Sequence, residues 1–226
     1  MNRFVESNSE WYGSGNYDSL AVSAQVGLAA RVFHSQIERG IKPRSHFEDV
    51  LEVGALSGQH LPYVRHSFGS WTLTDVVDHP TGEFEDSRVS FSREDVHNMT
   101  FEDNRFDRVA AMCVVHHLDY PINALAEMRR VCKPGGILTI LLPFEPGWAY
   151  SLGIRLTSVR KAKKLGLLEK ALESRALGHR NHYSSLAWQF RETFKSDSVR
   201  VYTWPLPVGG RFLNMFSSWH IVKSLD

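Results

Sequence analysis

Between residues 49 and 142 five strand-length apolar runs follow one another, separated by turns and helical patterns. They are Asp49–Val53, Trp71–Val76, Arg88–Phe91, Phe106–Cys113 and Ile137–Leu142. Strands that alternate with helices return to the same edge of a sheet. The rhythm therefore predicts an α/β fold with a parallel sheet covered by helices on both faces. Helices are expected over Leu61–Phe68 and from Pro121, where Ile122, Leu125, Met128 and Val131/Cys132 recur at helical spacing until Lys133-Pro134-Gly135-Gly136 stops the run. A further helix over about Leu20–Arg39 precedes the sheet. Its expected face carries Leu20, Ala24, Gly27/Leu28, Arg31/Val32 and Ser35, and Gly40 and Pro43 end it.

After Pro143 the rhythm changes. Residues 151–176 form a basic helical segment, net +5 between Arg155 and Arg175, read as an insertion. Val199–Trp204 and Phe212–Val222 follow as two more strands, joined by Pro205-Leu206-Pro207-Val208-Gly209-Gly210. The expected organisation is one domain over 1–226: an N-terminal lid and helix at 1–45, a core at 46–144, a cap at 145–197 and C-terminal strands at 198–226. A length of 226 residues suits one such domain, and a formal charge of +1 argues against a general nucleic-acid binder. Cys113 and Cys132 are too few for a disulfide scaffold or a four-thiolate zinc site, and no metal ligand set is read from the sequence. The opening residues show no secretory signal. The apolar run Ile137–Phe144 falls short of the ~20 residues of a membrane helix, so a cytoplasmic protein is expected.

In open α/β sheets ligands bind beyond the carboxyl ends of the strands. There the chain places Glu52-Val53-Gly54-Ala55-Leu56-Ser57-Gly58, a carboxylate followed by glycines where the backbone turns under a ligand. Asp75 and Asp78 end the second strand, and Glu94 and Asp95 follow the third. A nicotinamide fingerprint G-x-G-x-x-G is absent from this loop, which disfavours a dehydrogenase.

Glu52, Asp75 and Asp95 in this order, Asp95-Val96-His97-Asn98-Met99 leading to Phe106-Asp107-Arg108-Val109, and Lys133-Pro134-Gly135-Gly136 together resemble the class I S-adenosylmethionine-dependent methyltransferase family over residues 48–143. The resemblance implies a Rossmann-like seven-stranded sheet with its last strand antiparallel, an N-terminal helix, and a helical cap after the fifth strand. It implies S-adenosyl-L-methionine as cofactor. Glu52, Gly54, Ala55 and Gly58 would line its methionine and ribose, and Asp75, or Asp78 with a shifted register, would accept from the ribose hydroxyls. Asp95 and the Val96 backbone would read the adenine, with Met112 and Cys113 alongside. Leu56 departs from the family pattern, which has a glycine there, so its side chain must point away from the cofactor or narrow the pocket. Tyr17, with Tyr12 and Asp18, falls in a segment similar to the N-terminal lid of related enzymes.

A hydroxyl acceptor must lose a proton, and histidine is suited to take it near neutral pH. Val114-Val115-His116-His117-Leu118 resembles the matching segment of small-molecule methyltransferases, which makes His116 or His117 the base, while His182 in His179-Arg180-Asn181-His182-Tyr183 closes over the acceptor. The expected reaction is O-methylation of a sugar or another hydroxyl in glycan or natural-product biosynthesis. An amine acceptor and a non-catalytic binding or scaffold protein are the alternatives. The basic segment reads as a solvated helix face, or else as a contact for a phosphate-bearing acceptor or an anionic membrane. Neither nucleic acid nor a transmembrane segment is expected; a homodimer is compatible with the sequence.

Overall fold

A computed structural model of the chain describes residues 28–78, 84–208 and 210–226. Helix α1 (Leu28–Ile37) leads into β1 (His46–Val53), β2 (Ser67–Asp75), β3 (Val89–Arg93) and β4 (Phe106–Met112). Helix α2 (Pro121–Val131) connects β4 to β5 (Cys132–Pro143). The cap follows as α3 (Trp148–Ile154), a π-helical turn (Arg155–Val159), α4 (Arg160–Lys164) and α5 (Leu168–Gly178). Then come α6 (Tyr183–Thr193), β6 (Ser198–Trp204), the short α7 (Gly210–Leu213) and β7 (Phe216–Val222).

The seven strands form one sheet in the order β3-β2-β1-β4-β5-β7-β6. β1 to β5 are mutually parallel, and β7 runs antiparallel to both β5 and β6. Order reverses between β1 and β4, so the loops after β1 and β4 leave the sheet side by side at the rim where such sheets bind ligands.

Side-chain alternation splits the core. Leu51, Val53, Val109, Ala111, Leu138 and Ile140 pack against Leu125 and Met128 of α2 and Leu186 and Phe190 of α6. Val50, Trp71 and Leu73 point the other way, with Phe47 and Val89.

On that second face the structure corrects the expected helix face. The sides of α1 and its exit turned inward are His34, Ile37 and Glu38, while Arg31 is exposed. Their partners are polar: Glu38 Oε1 accepts from His60 Nε2 at 3.0 Å and from Arg108 Nη2 at 2.6 Å, and Arg108 Nη1 donates to His66 Nε2. All these side chains are buried.

A second correction concerns Leu61–Phe68, where only Leu61–Tyr63 is helical, as a single 3₁₀ turn. β2 starts early, with Ser67 paired to His46 of β1, so extended backbone takes the residues a helix would need. The helix ends at Val131, as the Lys133–Gly136 stop predicts, and Lys133–Gly136 is itself drawn into β5, at a register shift against β4. Phe212 belongs to α7, and β7 begins only at Phe216. Among the described residues no helix is long and apolar enough to cross a membrane.

Candidate active site

The loop after β1 turns through left-handed backbone three times, at Gly54 (φ 64°), Leu56 (φ 50°) and Gly58 (φ 74°). Gly54 is also pinned by packing, since a Cβ there would lie 2.3 Å from Val114 Cγ2 in the loop after β4. At Gly58 a Cβ would meet Leu73 and Leu61 at 2.9 and 3.0 Å. Ala55 is buried and donates its N–H to Thr74 O at 2.9 Å.

Asp75, the last residue of β2, organises this turn. Its Oδ2 accepts from Leu56 N–H at 3.3 Å and its Oδ1 from Val76 N–H at 2.8 Å. Its carbonyl accepts from Glu94 N–H at 3.0 Å, which brings the β3 exit beside it. Asp78 points away to an exposed ion pair with Arg93. Beyond β3, burial favours the neutral form of Asp95, but the His97 N–H and ring outweigh it and hold the carboxyl below its ordinary range. Val96 buries its side chain in the core.

Leu56 holds a left-handed conformation that costs a non-glycine residue about 1–2 kcal/mol. Leu56→Gly removes that strain and adds about 0.5–1 kcal/mol of chain entropy cost. Thermal unfolding is expected to show a chain at least as stable as the parent; a clear drop would mean that the Leu56 side chain contributes packing of its own.

Glu52 is placed differently from its sequence expectation. It is buried on the α1 face, and its Oε2 accepts from Trp71 Nε1 at 3.1 Å. Burial raises its pKa against the opposing pull of His60 and Arg108. It supports the strand beneath the loop rather than facing the rim.

Past Met112, Cys113 adopts φ 52° and donates its N–H to Leu141 O at 3.0 Å. Burial, with Glu145 nearby, pushes its thiol up to about 12. The chain then makes a 3₁₀ turn at Val115–His117. Here three imidazoles meet: the His116 and His117 rings are 4.0 Å apart, and His179 stands nearly perpendicular to both at 4.6 and 4.7 Å. His117 Nδ1 donates to Gly178 O at 3.0 Å. His179 Nδ1 donates to Glu145 Oε2, and Arg175 Nε donates to Glu145 Oε1 at 3.0 Å. Burial favours neutral Glu145, yet His179 and Arg175 outweigh it and keep the carboxyl below its ordinary range. Burial first, then its neighbours, holds His116 well below the usual histidine value and His117 at about 3.

His182 does not join this cluster. Arg180 and Asn181 both donate backbone N–H to His116 O at 3.1 Å, and Asn181 Nδ2 donates to Leu118 O at 2.6 Å. That clamp turns His179 inward and leaves His182 exposed as the residue before α6. Of the 179–183 run it is His179, not the expected His182, that meets His116 and His117. Glu145 was missed, although a lone carboxylate closing the apolar run Ile137–Phe144 was its signal. Tyr17, Tyr12 and Asp18 lie outside the described residues.

Residues 51–140 match a family model described as a methyltransferase domain. A hybrid PKS-NRPS synthetase, gkaA of Penicillium citrinum, is 29% identical over 137 residues, 52% of this chain and 3% of its own length. The chain thus spans a small part of such relatives. In fold it resembles the plantazolicin methyltransferase BpumL, solved with SAH, at TM-score 0.66 and 14% identity, covering 96% of this chain and 94% of that one. It also resembles the CurJ carbon methyltransferase, at TM-score 0.51 and 19% identity, covering 83% and 51%. With the strand order 3-2-1-4-5-7-6 and an antiparallel β7, these findings give the chain the class I S-adenosylmethionine-dependent methyltransferase fold, with a methyltransferase-domain match over residues 51–140.

Proposed function

We propose that the chain methylates a small-molecule acceptor that gives up a proton in the reaction, a hydroxyl or an enolisable carbon of a biosynthetic intermediate. The observation that carries this reading is the histidine cluster at the exit of β4, buried at His116 and half-buried at His117 and His179, two residues on from Val114, which packs on Gly54. S-adenosylmethionine, when bound, supplies an electrophilic sulfonium methyl. The residues fit such a cofactor: Asp75 is an acceptor-only group suited to vicinal hydroxyls, Asp95 offers an exposed carboxylate, and the left-handed turn carries Gly54 and Gly58, which add no side chain. The protein's part is to hold the acceptor in line, exclude water and take up the proton. Amines need little such help, so the cluster favours an oxygen or carbon acceptor. The sugar hydroxyl suggested by the sequence remains one member of that class; the polyketide-type relatives and the carbon methyltransferase likeness favour including carbon.

Calorimetry tests the cofactor half. Hydrogen bonds to a charged group contribute about 1.5–3 kcal/mol, so Asp75→Ala is expected to weaken S-adenosylmethionine binding roughly 10–100-fold. Asp75→Asn, which keeps an acceptor for the Leu56 N–H, should lose less. S-adenosylhomocysteine release over a panel of phenols, sugars, β-ketoacyl thioesters and amines tests the acceptor half. Turnover confined to amines would sink the reading.

A further inference from the structure

We infer that His116, His117 and His179 form a divalent transition-metal site, with zinc as the ion best matched to it. One ring nitrogen from each of the three lies within 4.8 Å of the others, the sole such grouping of potential ligands among the described residues. His117 Nδ1 donates to the Gly178 carbonyl and His179 Nδ1 to Glu145. A histidine whose second nitrogen is held by a backbone carbonyl or a carboxylate is the arrangement that fixes tautomer and ring direction in metal sites.

His116 supplies an independent pointer. It is 3% exposed, and its Nδ1 is buried without a hydrogen-bond partner. Buried polar atoms are rarely left so, and a ligated ion would account for this one. Glu145 is itself positioned by Arg175 Nε and Nη2, at 3.0 and 2.5 Å, so the carboxylate is braced from the far side.

Tetrahedral zinc with nitrogen ligands at about 2.0–2.1 Å sets the ligating atoms about 3.3 Å apart. The cluster would therefore contract on binding, which ring rotation of His116 can supply because its Nδ1 is untethered. Three imidazoles leave the fourth position open, as in catalytic rather than structural zinc sites. Resting on the methyl-transfer reading, this assigns the fourth position to the acceptor's hydroxyl or enol oxygen. The ion polarises the O–H bond, its proton passes to solvent, and the electron pair stays with the acceptor for bond formation to the methyl carbon as the C–S pair returns to sulfur. The acceptor class narrows accordingly to molecules that present an ionisable oxygen.

The test is titration of the whole chain, stripped with chelator, with Zn²⁺ and with Co²⁺. One equivalent is expected to bind, and Co²⁺ should give the visible absorption of a tetrahedral site. Glu145→Gln should weaken binding by about 10–100-fold, and His179→Ala should abolish the tetrahedral spectrum. Circular dichroism of each variant shows whether it is folded, and the parent titration stands even where a variant is not. No stoichiometric binding to the folded parent, or binding indifferent to His179→Ala in a folded variant, would overturn the site. Calorimetry with S-adenosylmethionine on the stripped chain separates the two ideas: binding without metal uptake leaves methyl transfer standing and removes the ion, whereas no cofactor binding removes the methyl-transfer reading whatever the metal does.

Discussion

Methyl transfer by a His116→Ala chain is expected to fall by about 10²–10⁴-fold, the usual range for losing a positioned proton acceptor, while its affinity for S-adenosylmethionine stays that of the parent. The imidazole packs against the His117 and His179 rings, so its loss is expected to act on the acceptor rather than on the cofactor. The His116 carbonyl, which receives the Arg180 and Asn181 N–H groups, survives the substitution, so the clamp on the 178–183 loop is kept. The effect holds whether the imidazole takes the proton itself or holds an ion that promotes its loss. Initial rates of S-adenosylhomocysteine release, with the best acceptor from the panel, give the comparison. A rate within tenfold of the parent would leave the cluster a packing feature.

Stability should respond most to Glu38. Its carboxylate is the acidic partner of Arg108, a guanidinium with no exposed surface, and it also accepts from His60. Burial disfavours its charge, but His60 and Arg108 outweigh that and bring it to about 2. Glu38→Ala leaves Arg108 buried and uncompensated, which costs about 3–5 kcal/mol in comparable sites. Replacing both partners with apolar residues, as in Glu38→Leu with Arg108→Met, removes the stranded charge and should recover much of the loss. Urea unfolding of the three chains decides: equal losses in single and double variants would show that packing, not charge, dominates.

The same cluster sets an acid limit. Burial, with His60 beside it, holds His34 at about 3 against the ordinary histidine value of 6.5, so the unfolded chain binds the extra proton throughout that window. Stability therefore rises with pH there and is lost as pH falls from about 6.5 towards 3; Glu38 adds a second loss as pH drops from the ordinary glutamate value of 4.5 towards about 2. The groups facing His34 and Glu38 are His60, Tyr63, His66, Arg108 and Glu52, and none supplies an opposing carboxylate at His34. Melting temperatures from neutral pH down to about 4 should fall steadily, and a flat profile would refute the assignment.

Local patterning carried the sheet. Strand runs, the periodicity of α2, and the carboxylates closing β2 and β3 are all written in stretches of ten or so residues, where propensity and alternation act. The resemblance over 48–143 rested on those same stretches. Three features were not legible there. α1 meets the sheet through His34 and Glu38, which no apolar-face reading selects, because their partners Arg108 and His66 lie 70 and 28 positions away and make a polar interior tolerable. The helix expected after β1 lost out to the longer ladder between β1 and β2. His179 and Glu145 reach His116 and His117 only when the cap folds back over β4, across separations of 61 residues for His117 to Gly178 and 34 for Glu145 to His179.

The sequence by itself thus determined the layered architecture and the rim at which such sheets bind ligands, because side-chain period and turn chemistry are short-range properties. Which histidines share that rim, which carboxylate braces them and which charges the interior holds were decided by tertiary structure, since each depends on a pairing that exists only once distant segments have been brought together and water between them displaced.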